Sequence, residues 1–317
     1  MRIVLRASND TLPRIIGLAE GIRDTDPSSE ILLITSGSRA VSIPGIRQAD
    51  IGTQNTLSWD LEYTENAIPE PVDIIVLDNR PDEKYQKAMK KKARMLVVID
   101  DEPNCRQYFA DAIVNPNVHA HTLDYRGAKD TELLLGTEFY PLGSAFDEFQ
   151  DFAKETEARC RKISVCLGED RRSAAMDAIR ILKKSGAHFL AGVSLPLDEE
   201  KGEKLASEIG LDERFIVADP DPRRQSASDL AICSLQTLHE FIFFRVPALL
   251  SDPSASPLLS DYCSKAGICF PLCEESLLRL MNDPEERRRV SGRMADLVDG
   301  LGRFRLAEEL LAIHENF

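Results

Sequence analysis

The sequence has no apolar run approaching the ~18 residues needed to cross a bilayer. Its first ten residues hold no apolar core of signal-peptide length, because Arg6 and Asn9 interrupt it. These absences predict a cytoplasmic protein without a membrane span. Positive charge is in short supply, with 39 Lys and Arg against 53 Asp and Glu and a net charge of −14. A surface of that sign repels nucleic acid, so no nucleic-acid partner is predicted. The two basic clusters, Lys90-Lys91-Lys92 and Arg287-Arg288-Arg289, lie in helical patterns beside acidic residues and read as solvated helix faces. Cysteine is sparse and odd in number: seven, spread from Cys105 to Cys273. Only Cys269 and Cys273 are close, and no second pair at metal-ligand spacing accompanies them, so all seven read as reduced thiols, mostly packed as small hydrophobes. His119 and His121 could reach one metal from a strand face, but no carboxylate or thiol lies at a matching spacing. Neither a metal nor a cofactor is predicted.

What the chain does contain is short β-branched runs alternating with helical segments, the pattern of parallel sheets covered by helices. Ile3–Leu5, Ile31–Ile34, Asp73–Asp78, Met95–Asp100 and Ala112–Val114 read as strands of a first domain. A helix from about Leu12 to Arg23 follows the first strand, with Ile15, Ile16, Leu18, Ala19 and Ile22 at helical spacing, and another begins near Pro81. From about Tyr140 to Arg161 the pattern turns polar and rich in Phe, which reads as a linker containing a helix. The alternation restarts with the strands Lys162–Leu167, Phe189–Val193, Phe215–Val217, Asp229–Cys233 and Pro247–Leu250. Helices are expected at about 173–184, 199–208 and 237–244, and an amphipathic helical tail runs from Asp283 to the end. The fold class is therefore α/β, two Rossmann-like domains facing a central cleft. The boundaries are 1–150 and 151–317, with the C-terminal helices able to return to the first domain. Ligands of open α/β sheets bind at the C-terminal strand ends, where helix N-termini and loops converge.

The residues just after strands are therefore the informative ones. Asp10 or Thr11 could cap the helix after the first strand, whose N-terminus could alternatively attract an anion. Asp78-Asn79-Arg80 and Asp100-Asp101-Glu102 would line one sheet edge with carboxylates, suited to sugar hydroxyls or proton handling, unless they are ordinary helix caps. In the second half Leu167-Gly168-Glu169-Asp170 and Ser234-Leu235-Gln236-Thr237 each follow a strand and open a helix. Backbone N–H groups there face phosphate, and Glu240, one turn on, could accept ribose hydroxyls or be an exposed helix residue.

Several of these residues fall in a familiar order: Asp78, Val98-Ile99-Asp100-Asp101-Glu102, Asp111, Asn115-Pro116-Asn117, Gly136, Tyr140, Leu142 and Phe146. The second half continues it with Gly168-Glu169-Asp170, Asp229-Leu230-Ala231-Ile232, Thr237-Leu238-His239-Glu240 and Val246-Pro247-Ala248-Leu249. In this order the chain resembles the UDP-sugar hydrolases of pseudaminic acid biosynthesis and the related spore-coat polysaccharide proteins, built like two-domain GT-B glycosyltransferases. The resemblance implies a UDP-sugar ligand, tentative catalytic positions at Asp10, Thr11, Asp78 and Asp101, and ligand contacts from Arg14, Asn115, Tyr140, Gly168, Asp170, Ser234, Thr237 and Glu240. It also exposes departures. The family's loop after the first strand is glycine-rich and ends in Gly-His, with an arginine three residues on; Arg14 matches the arginine and Thr11 stands at the histidine. A threonine hydroxyl cannot serve as the general base that imidazole can. The paired glycines of the family's diphosphate loop are replaced by Ser234-Leu235, and its Gly-Gly before the aspartate by Leu167-Gly168 with Glu169 next. Three readings follow: a relative with the hydrolysis lost or altered; an active hydrolase or glycosyltransferase with a rearranged site, in which Asp10 or His119 is the base; and a non-catalytic scaffold that works through protein partners.

Overall fold

The computed structural model describes the whole chain except residues 38–42, 54–55, 69, 79–81, 104, 153, 168–171, 187, 195–210, 218 and 317. It divides into two compact units, residues 1–147 with 300–317, and residues 148–299.

The first unit is built on seven parallel strands: β1 (Arg2–Arg6), β2 (Glu30–Thr35), β3 (Ile46–Asp50), β4 (Val72–Asp78), β5 (Ala93–Ile99), β6 (Ala112–Asn115) and β7 (Glu132–Leu135). Their order is β3-β2-β1-β4-β5-β6-β7, so the chain reverses its winding between β1 and β4, where Leu5 pairs with Val76 and Arg6 with Leu77. Crossover helices supply the covering faces: α1 (Leu12–Thr25), α2 (Leu57–Ala67) and α3 (Glu83–Lys90). Alternation along β1 sorts the core into two layers, Ile3 and Leu5 packing with α1 and Val4 with the face that holds Leu61 and Tyr85.

The C-terminal helix of the chain belongs to this unit and packs on α1. We label it α10 (Gly302–Glu315). Glycine permits the approach: a Cβ on Gly21 would lie 2.4 Å from the Arg303 carbonyl oxygen. Arg303, itself buried, anchors the start of α10 through a bidentate pair with Asp147, both bonds at 2.6 Å. Gly21→Ala is expected to cost about 1–3 kcal/mol through overpacking, read as a lower thermal midpoint with unchanged circular dichroism in the native range.

The second unit carries six parallel strands: β8 (Lys162–Cys166), β9 (Leu190–Ser194), β10 (Phe215–Val217), β11 (Leu230–Cys233), β12 (Ala248–Leu250) and β13 (Cys269–Pro271). Their order is β10-β9-β8-β11-β12-β13, with the reversal between β8 and β11. The helices are α4 (Arg172–Lys184), α5 (Pro222–Ser226), α6 (Leu238–Phe243), α7 (Pro257–Ala266), α8 (Glu274–Asn282) and α9 (Pro284–Met294). Both sheets thus have parallel strands and helical crossovers, the α/β architecture that the alternation predicts.

Several expectations are corrected. The segment read as a linker with a helix holds a 3₁₀ helix, Ser144–Phe149, and its Phe residues are half-buried. Phe149 and Phe152 pack edge-on against Phe244 at 5.3 and 6.0 Å. His119 and His121 belong to a 3₁₀ turn around Ala120–Thr122 rather than to a strand face. Lys91 and Lys92 lie beyond the end of α3, and Lys92 donates to the Glu65 and Ile68 carbonyls. Arg287 is 1% exposed, so only Arg288 and Arg289 of that cluster face solvent, paired with Glu285 and Glu286. The helix expected at 199–208 lies outside the described residues, as do Asn79 and Arg80. All seven cysteines are free; five are buried, and Cys273 is exposed and N-caps α8 through Ser276. Among the described residues no helix is long and apolar enough to cross a membrane, and no group of three or more His, Cys, Asp or Glu is placed to hold a metal.

Candidate functional site

At the reversal point of the first sheet, the strand ends deliver carboxylates and α1 delivers a guanidinium. Asp78 closes β4 and is fully buried, and Asp101 follows β5 with its side chain one-third exposed. Arg14, in the first turn of α1, donates from Nε to Asp78 Oδ2 at 2.8 Å and from Nη2 to Asp78 Oδ1. It donates from Nη1 to Asp101 Oδ1 at 2.8 Å and from Nη2 to Asp101 Oδ2 at 3.0 Å. One guanidinium therefore holds two carboxylates, each in bidentate fashion, and four of its five N–H groups face them. Burial pushes the Asp78 carboxyl up to about 6, against the pull of Arg14.

Asn117 Nδ2 extends the network by donating to Asp101 Oδ1 at 2.6 Å and to Asn115 Oδ1 at 2.8 Å. Asn115 Nδ2 donates to the Asp101 carbonyl at 3.0 Å and to the Tyr125 hydroxyl at 2.8 Å. Asp100, the neighbour of Asp101, accepts from the Tyr108 hydroxyl, and burial raises its carboxyl to about 6.

Thr11 occupies the N-cap of α1, yet its side chain makes no capping bond, which corrects the expectation of a cap. Its hydroxyl instead accepts from the Ser8 N–H at 3.1 Å and donates to the Ser8 carbonyl at 3.4 Å. Asp10 sits partly exposed in the turn before α1. His119 is 1% exposed, and burial lowers its pKa against the pull of Glu102 and Asp101. Tyr140 is buried, its backbone against Gly302 at the start of α10.

In the second unit the described loop lies at the corresponding reversal, after β8 and β11. The Ser234 N–H and the Thr237 hydroxyl both donate to the Cys166 carbonyl, each at 3.0 Å. Thr237 stands at the N-cap of α6 and, like Thr11, makes no side-chain capping bond. Glu240, in the first turn of α6, accepts from Gln225 Nε2 at 2.6 Å. Burial raises its carboxyl to about 7, opposed by that hydrogen bond. Gly168 and Asp170 lie outside the described residues.

The structure thus joins Arg14, Asp78, Asp101 and Asn115 in one network, and Ser234 and Thr237 in another beside Glu240, while Thr11 bonds Ser8 within its own loop. Reading the sequence missed Tyr125, Tyr108 and Gln225 as partners of these residues. Tyr125 lies in an irregular loop and Gln225 in a five-residue helix, so no periodicity marks either. Asn117 was visible as part of Asn115-Pro116-Asn117, though not as the residue that bonds Asp101.

No family model matches the chain, and no curated protein matches it. Solved structures do. The UDP-GlcNAc 2-epimerase of Neisseria meningitidis bound to UDP-GlcNAc is 10% identical, with a TM-score of 0.67 over 98% of this chain and 100% of that one. MnaA of S. aureus, solved with UDP, is 12% identical, with a TM-score of 0.65 over 100% and 97% of the two chains. Sucrose-phosphate synthase of Thermosynechococcus elongatus is 13% identical, with a TM-score of 0.59 over 98% and 99%. What this likeness establishes is the fold: the chain has the two-unit, parallel-sheet α/β architecture of GT-B-like sugar-nucleotide epimerases and glycosyltransferases.

Proposed function

We propose that this protein is a divergent relative of the UDP-sugar hydrolases of bacterial surface-glycan synthesis, of the pseudaminic acid type, which keeps a nucleotide-recognition loop but has lost the parent hydrolysis. The observation that carries this reading is the double clamp on Arg14. An arginine whose N–H groups already face two carboxylates has little left with which to hold a diphosphate. Its charge is matched, and the adjoining Asp100 and Glu102 make the edge hostile to a further anion. Thr11 contributes no base, because a threonine hydroxyl does not titrate near neutrality.

The recognition half rests on Glu240. Held by Gln225 one turn into α6, it is placed to accept hydroxyl groups from a ribose whose phosphates face the start of that helix. Calorimetric titration with UDP at low salt tests this half. The expected result is weak binding, with a Kd between about 0.1 and 1 mM, weakened about tenfold or more in Glu240→Ala, since a bond to a charged group is worth roughly 1.5–3 kcal/mol. UDP binding that survives Glu240→Ala unchanged would remove Glu240 from the site. No heat from the folded protein would favour a scaffold that acts through protein partners.

The rearranged-enzyme reading needs another base. Burial lowers the His119 pKa, but at 1% exposure the side chain reaches no solvent. Asp10 is accessible and remains the residue on which that reading depends.

A further inference from the structure

A cavity of the second unit lies at the other end of its sheet from Ser234 and Glu240. It has a volume of about 700 Å³ and opens beside Lys162, the first residue of β8, and Asp229, the residue before β11. A five-residue strand separates it from the loop at Cys166, a distance of roughly 16 Å.

The charge around this cavity is unusual for a chain of net charge −14. Four cations, Lys154, Arg159, Arg161 and Lys162, line it with three carboxylates, Glu155, Glu157 and Asp229, and a narrow crevice that shares Lys154, Glu157 and Asp229 with it is lined by Arg287. Among the described residues none of these five cations is ion-paired with a carboxylate. Asp229, the carboxylate nearest the strand ends, takes up the main-chain N–H groups of Arg161 and Lys162 at 2.8 and 2.9 Å. Lys154 has one acceptor, the Ser226 carbonyl at 3.3 Å, for its three N–H groups, and burial lowers its pKa.

Arg287 shows the same excess of donors in the interior. Its Nη groups donate to the carbonyls of Leu280, Met281 and Glu157, while its Nε has no partner. Ser291, one turn later on α9, is also buried and lines the same crevice with its hydroxyl unpartnered. The crevice has no room for a ligand, so these two donors stay internal, whereas an oxyanion in the cavity, acceptor-only and of opposite charge, meets the deficit at Lys154.

We propose that this cavity is a second ligand site for a small multiply charged oxyanion of the phosphate-ester or polycarboxylate class, with Lys154 and Arg161 as its accessible contacts. It is separate from the nucleotide loop and stands or falls independently of it.

The test uses the full chain at low ionic strength, titrated with inorganic pyrophosphate and with citrate in the calorimeter, with and without saturating UDP. The account predicts binding of at least one of the two, unaffected by UDP and reduced about tenfold or more in Lys154→Gln and in Arg161→Gln, since each removes a charge-assisted contact. These two side chains are at or near the surface, so an unchanged melting temperature is expected in both variants. Arg287, whose replacement would disturb the end of α8, is left intact. Absence of binding by both anions would overturn the proposal. So would binding that is indifferent to both substitutions, or binding that UDP abolishes, which would place the anion at the nucleotide loop instead.

Discussion

Replacing Arg14 with methionine is expected to destabilise the first unit by about 3–5 kcal/mol. Asp78 has no exposure, and its side-chain partner is Arg14. Removing the guanidinium leaves a buried carboxylate that must either remain charged in an apolar setting or take up a proton, and both outcomes cost stability. Asp101 suffers less, because it is partly solvated and keeps its bond from Asn117. A second substitution, Asp78→Asn in the Arg14→Met background, removes the stranded charge and should recover a large part of the loss. Denaturant unfolding of the two single variants and the double variant gives the coupling directly. A loss below about 1 kcal/mol in Arg14→Met, the range of an exposed pair, would mean that the clamp is a surface ion pair and not the lock described here.

The pH profile of stability should run opposite to that of most proteins. Asp78 and Asp100 are raised from 3.8 to about 6, and Glu240 from 4.5 to about 7, in each case chiefly by burial. In the unfolded chain these carboxyls titrate near 4, so between pH 4 and pH 7 the folded protein holds protons that the unfolded chain has released. Their stabilising contribution is complete below the unfolded values and is lost as pH rises through 6 and 7. For Asp78 alone the linkage is on the order of 3 kcal/mol. The exposed carboxylates Asp26 and Asp212, held low by Ser28 and Ser29 and by Arg214, act in the opposite direction. Easing the self-repulsion of the acidic chain acts with the buried groups. Thermal unfolding should therefore show a higher midpoint at pH 5 than at pH 7.5, with part of the difference removed in Glu240→Gln. A midpoint that falls on acidification over this range would show that these carboxyls are not buried as described.

The sheets were legible where strands are buried on both faces. Asp73–Asp78, Met95–Asp100 and Lys162–Leu167 read as strands because burial on both sides makes them largely apolar. The missed elements lie at edges. β3 has the sequence IRQAD and is largely accessible, and β7 and β13 are four and three residues long, so none carries the apolar run that marks a central strand. α2 escaped notice because its inner face holds Asp60 and Thr64, which pair with the buried Arg6 and with Tyr85 in place of apolar contacts. A polar interior of that kind has no hydrophobic period to read. Asp78 and Asp101 were visible because they end strands, and Arg14 only through the family resemblance. That the three form a single clamp depends on how α1 crosses the sheet at the reversal point, which only tertiary structure supplies.

The lost-hydrolysis reading is tested most directly by incubating the protein at near-stoichiometric concentration with a panel of UDP-N-acetyl sugars and following free UDP. Nucleotide binding by the same sample is measured alongside by calorimetry. The account predicts heat of binding without release of UDP above the protein-free rate, a state in which Glu240 still recognises the nucleotide while Thr11 and the clamped Arg14 leave the anomeric bond intact. Catalytic release of UDP from any of these sugars, abolished in Asp101→Asn or Asp10→Asn, would contradict it and return the chain to the working enzymes of its fold.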